Sequence, residues 1–193
     1  MKILSKLFKR LGYVFLTILG ILVLIYFGFS IKWANETSDI EALLGDVAPK
    51  LLIDGHNFRD LNKNGILDVY ENPNESIHDR VENLISQMTI EEKSGAMFFN
   101  MIGVNEDGSI MEYPNFSDPF SFLMGSSLEK LVIKKMNHFN TRASYDKEKM
   151  LSWYNAIQKV AERSRLGIPI TIASDPRHGV PETFGASIYT PYF

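Results

Sequence analysis

The sequence predicts an α/β fold of the parallel type, carried behind a membrane-spanning helix. Three observations predict it. An uncharged run of 21 residues, 11–31, lies near the start of the chain. An amphipathic stretch, residues 146–165, is cut off by Gly167 and Pro169. A short apolar run of strand type, residues 168–173, follows at once. A helix handed by a tight glycine stop to an apolar strand is the α-to-β step of a parallel sheet, and such a strand is expected to be buried on both faces.

The first element is the uncharged run. As a helix its 21 residues span about 31 Å, one hydrocarbon core. Lys2, Lys6, Lys9 and Arg10 precede it and only Lys32 follows closely. The positive-inside rule then keeps the N-terminus in the cytoplasm and puts the rest of the chain outside. Two outcomes are open. The segment 1–31 is an uncleaved signal-anchor, so that the chain is membrane-anchored, or it is a cleaved signal peptide with Gly28-Phe29-Ser30 as the small-x-small site, so that the product is secreted. The run exceeds the usual apolar region of about 7–15 residues, which favours the anchor. A buried core helix is disfavoured because the segment is apolar all round and basic on one flank.

The remaining composition is that of a globular protein: 193 residues, 45% apolar, 22% charged. A net charge of -3 gives no basic footprint and argues against nucleic acid as a partner. The absence of cysteine excludes disulfides, thiol catalysis, cysteine-ligated zinc and lipidation through cysteine.

Residues 32–53 read as a polar linker with at most a short helix around 40–44, and 54–75 as an ordered loop rich in Asp, Asn and Gly. Ser76 and Asp79 stand in a capping-box-like relation. Val81, Leu84, Ile85 and Met88 follow at helical spacing. Thr89 and Glu92 open a second helical turn. Residues 100–127 show no period and read as irregular, with a short strand near 136–141. In 146–165, Met150, Trp153, Ile157, Val160 and Ala161 share one face.

Residues 60–71 match the twelve-residue EF-hand calcium loop. Asp60, Asn62 and Asn64 hold positions 1, 3 and 5, and Gly65 holds position 6, where the chain must turn sharply. Ile66 offers its carbonyl at 7, Leu67 is an apolar plug at 8, Asp68 stands at 9, and Glu71 supplies a bidentate carboxylate at 12. Ca²⁺ takes 6–8 oxygens at about 2.3–2.6 Å, and this spacing wraps them around one point. The alternative is a solvated Asn/Asp/Gly turn. Without a second loop or a clear helix before Asp60, the expected role of Ca²⁺ is a structural clip on 54–75.

Two segments carry a resemblance. Arg80-Val-Glu-Asn-Leu-Ile-Ser-Gln-Met-Thr-Ile-Glu-Glu-Lys93 is similar to the Arg-x-x-x-Leu-Leu-x-x-Met-Thr-Leu-x-Glu-Lys segment that opens glycoside hydrolase family 3 enzymes. Ser164-Arg-Leu-Gly-Ile-Pro-Ile-Thr-Ile-Ala-Ser-Asp-Pro-Arg-His-Gly179 resembles that family's Leu-Gly-Ile-Pro strand ending in an aspartate and a His-Gly pair. With the acidic loop, which some members also carry, the resemblance spans about residues 54–187. It implies a (β/α)₈ TIM-type barrel, of which 76–193 would be the N-terminal part, and exo-acting, retaining hydrolysis of β-linked sugars, as in a β-glucosidase. It also implies that Asp175 binds sugar hydroxyls of the substrate. A carboxylate at the C-terminal end of a barrel strand suits that role, and it equally suits a helix cap. Arg177 and His178 are not assigned to catalysis.

Retaining hydrolysis needs two carboxyl groups about 5–5.5 Å apart. The family's nucleophile lies in a Ser-Asp-Trp or Ser-Asp-Tyr motif. Here Ser38-Asp39, Ser117-Asp118 and Ser174-Asp175 are followed by Ile40, Pro119 and Pro176, and Asn137-His138-Phe139 only imitates the family's Lys-His-Phe element. From Asp54 there are 140 residues, against about 250 for a barrel. The expectation is a truncated enzyme without turnover by itself. A β-xylosidase or broader exo-glycosidase, and a non-catalytic membrane-tethered calcium-binding module, are the competing functions.

Overall fold

The computed structural model describes residues 2–114, 121–141 and 143–173, in two compact units, Met1–Asp39 and Ile40–Phe193. The first unit is helical, made of α1, Lys2–Glu41, up to Asp39. Its large apolar side chains from Leu11 to Ile31 stand exposed, and the helix is long and apolar enough to cross a membrane. Phe29 stacks on Trp33 with ring centroids 5.5 Å apart, beside the edge-on pair Tyr26–Phe27. Such rings suit the membrane–water boundary. Residues 32–41, expected as a linker, instead continue α1. No Gly or Pro interrupts them, and Lys32 and Glu36 pair at 3.5 Å one turn apart.

In the second unit, β1 (Lys50–Ile53) and β2 (His56–Arg59) form an antiparallel hairpin that the sequence reading left as linker and loop. Asp54 and Gly55 connect them with φ of 50° and 80°. Two positive φ values in a two-residue connection are those of a type I′ turn, for which Asp-Gly is a preferred pair. The acidic loop follows and closes in a 3₁₀ turn, Val69–Glu71. α2 (Ile77–Gln87) and α3 (Ile90–Ala96) begin where the capping residues place them. Ser76 accepts from the Asp79 N–H, and Thr89 and Glu92 form the reciprocal box. The apolar stripe of α2 forms, but Val81 and Ile85 are more than 40% exposed. Gly95 is buried against the turn before β4: a Cβ there would lie 2.3 Å from the Lys135 carbonyl oxygen.

β3 (Phe99–Ile102), β4 (His138–Thr141) and β5 (Thr171–Ala173) form a parallel sheet in that order. α4 (Ser121–Met124) and a π-helical turn, Glu129–Ile133, lie between β3 and β4. α5 (Lys147–Glu162) links β4 to β5, with Asp146 capping its N-terminus and Trp153, Ile157 and Ala161 buried. The core joins these side chains to Ile102, Val104, Leu131, Val132, Phe139 and Ile170. The sheet and its helices are an α/β arrangement, and the described residues form three adjacent strands, not a closed barrel.

Two expectations are corrected here. β3 lies partly in the stretch read as irregular, because β4, its partner among the described residues, is far along the chain and Asn100 breaks its apolar pattern. β5 is shorter than 168–173 and is not buried on both faces. Ile170 is buried, Thr171 is exposed, and Ile172 and Ala173 are half-buried, since among the described residues β5 pairs on one edge only.

Candidate functional site

The acidic loop is built from the side chains that the spacing singled out. Asp60 is buried, 1% exposed, and accepts from the Asn64 N–H at 3.0 Å and the Gly65 N–H at 2.8 Å, one on each carboxylate oxygen. Gly65 has φ 80°, which an Asp60-anchored sharp turn requires. The Asn62 and Asn64 amides both donate to Oδ2 of Asp68, each at 2.7 Å. Gln87 of α2 donates to its other oxygen at 3.1 Å. Glu71 is buried and reaches back: Oε1 accepts from the Leu61 and Asn62 N–H groups, and Oε2 from that of Asp68. Ile66 donates its N–H to Asn64 Oδ1 at 2.7 Å, and its side chain is exposed.

Positions 3, 5 and 9 therefore converge on one point, position 1 holds the turn at positions 5 and 6, and position 12 ties the end of the loop to its start. The donor set suits a hard cation: carboxylate, amide and carbonyl oxygens only. The arrangement also closes by hydrogen bonds alone, and no group of three or more His, Asp or Glu side chains gathers as a metal site among the described residues. An amide turned by 180° exchanges its N–H for its carbonyl oxygen. Asn62 and Asn64 would present oxygens to the same point after such a turn.

Asp175, the expected sugar ligand, lies outside the described residues, as do Arg177 and His178. What is described is how the chain is carried toward it. The Gln158 side chain clamps Ile170, donating to its carbonyl at 2.7 Å and accepting its N–H at 3.0 Å. Arg165 is held by a bidentate pair with Glu92 and by the Gln87 carbonyl. The C-terminal ends of β3, β4 and β5 share one end of the parallel sheet, the end where α/β folds place ligands.

A second titratable pair was not foreseen. Glu112 accepts from the Leu128 N–H at 3.2 Å, while its Oε2 is buried with no partner. Burial pushes its carboxyl up to about 7, helped by the Glu41 carboxylate and opposed by the Leu128 N–H, the Ser126 hydroxyl and Lys130. Lys130 is buried and donates to the Met101 carbonyl at 2.7 Å, within β3. Burial holds its ammonium down to about 8, with Lys134 adding to the effect. Groups perturbed by burial beside the end of a sheet mark functional sites and structural pairs alike. No sequence motif points to Glu112; it stands between Met111 and Tyr113 in the aperiodic stretch.

No protein-family model matches the chain. Curated relatives do. Over 142 residues, 71% of this chain, it is 33% identical to β-glucosidase C of Emericella nidulans. It is 32% identical over 73% of its length to the periplasmic β-glucosidase/β-xylosidase of Dickeya chrysanthemi, and 30% identical over 68% to a probable β-glucosidase C of Aspergillus oryzae. The chain is β-glucosidase-like, of the glycoside hydrolase family 3 type. This β-glucosidase-like chain spans about a fifth of the length of the curated relatives it matches.

Proposed function

We propose that the chain supplies part of an exo-acting glycoside hydrolase that releases terminal β-linked sugars with retention of configuration. The observation that supports it is the 33% identity to a β-glucosidase over 142 residues. In this reading β3, β4 and β5 are staves of a (β/α)₈ barrel, and Asp175 accepts hydrogen bonds from two sugar hydroxyls just beyond β5. Ca²⁺ in residues 60–71 acts as a clip. Asp60, Asn62, Asn64, the Ile66 carbonyl, Asp68 and Glu71 would hold it, and its charge would fix the loop without entering the reaction. α1 holds the protein at a membrane with the second unit outside the cytoplasm, unless the segment is removed on export. The chain brings no Ser-Asp-Trp or Ser-Asp-Tyr nucleophile motif, so turnover by this polypeptide alone is not expected. A β-xylosidase is the second reading, favoured by the double name of the Dickeya chrysanthemi relative.

A chimera tests it: this chain's matched stretch replaces the aligned stretch of the Dickeya chrysanthemi enzyme, with nitrophenyl β-glucoside and β-xyloside as substrates. Loss of two charge-assisted hydrogen bonds in Asp175→Ala is expected to lower kcat/KM about 10²–10³-fold. Calorimetric titration of the unfused chain with glucose, with and without Asp175→Ala, gives the same answer without turnover. Unchanged binding and unchanged hydrolysis in the variant would end the assignment of Asp175.

A further inference from the structure

We propose that the cleft between the β1–β2 hairpin and α5 binds an uncharged oligosaccharide. The cleft has a volume of about 690 Å³, within the range of small-molecule sites. Its walls come from β2, the acidic loop and one face of α5, and its end is formed by Gly167 and Pro169. It therefore opens at the N-terminal entrance of β5, the opposite sheet end from the C-terminal ends of the three parallel strands.

α5 shows why this face is a candidate. One stripe of the helix, with Trp153, Ile157 and Ala161, is consumed by the core. The stripe carrying Tyr154, Asn155, Lys159 and Glu162 lines the cleft instead. Tyr154 is 43% exposed there, a large ring that no packing in the core requires. A tyrosine ring offers an apolar face with a polar tip, and Asn57 and Asn155, which line the same cleft, carry amides that can each donate and accept. That combination matches a sugar ring, which presents C–H faces and hydroxyl edges together.

Charge argues for a neutral ligand. The cationic lining residues are Arg59 and Lys159, and the anionic ones are Glu71 and Glu162. Arg59 is paired with Glu162, so no single sign dominates. The walls are also set in advance. Lys63 of the acidic loop donates to the Glu162 and Ser164 carbonyls at 2.7 and 2.6 Å, and Gln158 clamps Ile170 at the cleft's end. Walls that need no reordering cost less to close on a ligand.

The test is calorimetric titration of the full chain, in a detergent without a sugar headgroup, with cellotriose as the probe and glucuronate as the charged comparison. Saturable binding of cellotriose at millimolar Kd is expected, about tenfold weaker in Tyr154→Ala and retained within about threefold in Tyr154→Phe. Glucuronate is expected to bind more weakly than cellotriose. Tyr154 is exposed on a helix, so alanine is compatible with the fold, and circular dichroism of both variants checks it. Asp175→Ala removes the sugar ligand proposed beyond β5 and so separates the two sites: in that background cellotriose should still saturate, and should still weaken about tenfold when Tyr154→Ala is added. Absence of saturation up to about 20 mM, equal affinity in Tyr154→Ala, or loss of binding in Asp175→Ala with retention in Tyr154→Ala would each overturn the proposal.

Discussion

Glu112→Gln is expected to make the protein more stable at neutral and alkaline pH and to leave it unchanged in acid. The Glu112 carboxyl has one oxygen on the Leu128 N–H and the other buried without a partner. Burial raises its pKa from 4.5 to about 7, so the folded chain holds this proton more tightly than the unfolded chain does. Between those values the native state binds more protons than the unfolded state, and stability falls as pH rises. The penalty is absent below pH 4.5, grows toward pH 7 and is fully present above it. A rise of this size corresponds to about 3 kcal/mol, and partial solvent screening brings the expected effect to about 2–3 kcal/mol. Glutamine keeps the shape and the acceptor for Leu128 but carries no charge. The nearby Lys130 ammonium loses an attractive neighbour, which subtracts from the gain.

Urea unfolding of the full chain in detergent, followed by circular dichroism from pH 4.5 to 8.5, measures the effect. The difference between variant and parent should open from near zero at the acid end to about 2–3 kcal/mol at pH 8, or about 5–10 °C in Tm for a unit of this size. A constant difference across the range would refute the reasoning, because a packing change has no such pH dependence.

Gly95→Ala should destabilise the protein by about 3 kcal/mol, read as a fall in Tm, because the added Cβ meets the Lys135 carbonyl at 2.3 Å and both sides of the contact are backbone. Lys63→Met should cost about 1–3 kcal/mol in the same assay, since the Glu162 and Ser164 carbonyls lose a shared donor. Trp153→Ala, at a fully buried position, should cost about 3–5 kcal/mol and lower the urea midpoint accordingly. If Ca²⁺ binds residues 60–71, saturation at about 100 times Kd adds about 2.7 kcal/mol, removed by chelator and lost in Asp60→Ala; an identical Tm with and without chelator would leave the loop closed by hydrogen bonds alone.

What could be read from the sequence was local. Ser76, Thr89 and Asp146 start α2, α3 and α5 because a side-chain oxygen three residues before an N–H is a property of the spacing itself. The α5 face with Trp153 and Ile157 followed in the same way from 3.6-residue periodicity. The Asp54-Gly55 hairpin carried an equally local signal that the reading passed over. What could not be read depended on distant partners. β3 is defined by its register with β4, Phe99 against His138, and nothing in Phe99-Asn-Met-Ile102 announces that partner. Glu112 and Lys130 acquire their shifted titrations only through burial against partners distant in the chain, the Leu128 N–H for Glu112 and the Met101 carbonyl for Lys130. The acidic loop sits between these cases: its spacing was legible, while the closure of Asp68 by Asn62, Asn64 and Gln87 was not.

The acidic loop matters to β5 whether or not a cation occupies it. The turn that feeds β5 is held from two sides. On one side the loop supplies three contacts: Lys63 on the Glu162 and Ser164 carbonyls, the Tyr70 hydroxyl on the Leu166 carbonyl at 3.2 Å, and Leu61 packed against Gly167. A Cβ on Gly167 would already lie 3.0 Å from Leu61, and its φ of 57° favours glycine independently. On the other side Glu92 and the Gln87 carbonyl hold Arg165. A strand of three residues, paired on one edge among those described, has little hydrogen bonding of its own to fix its direction. Its aim is set by the turn before it, and the turn is set by the loop. Disruption at Asp60 is therefore expected to reach β5 through Lys63 and Tyr70, without any change in the strand's own residues. Hydrogen exchange at the Thr171 N–H, which donates to the Asn137 carbonyl at 2.8 Å, measures that transmission: it should speed up in Asp60→Ala, and an unchanged rate would separate loop from strand.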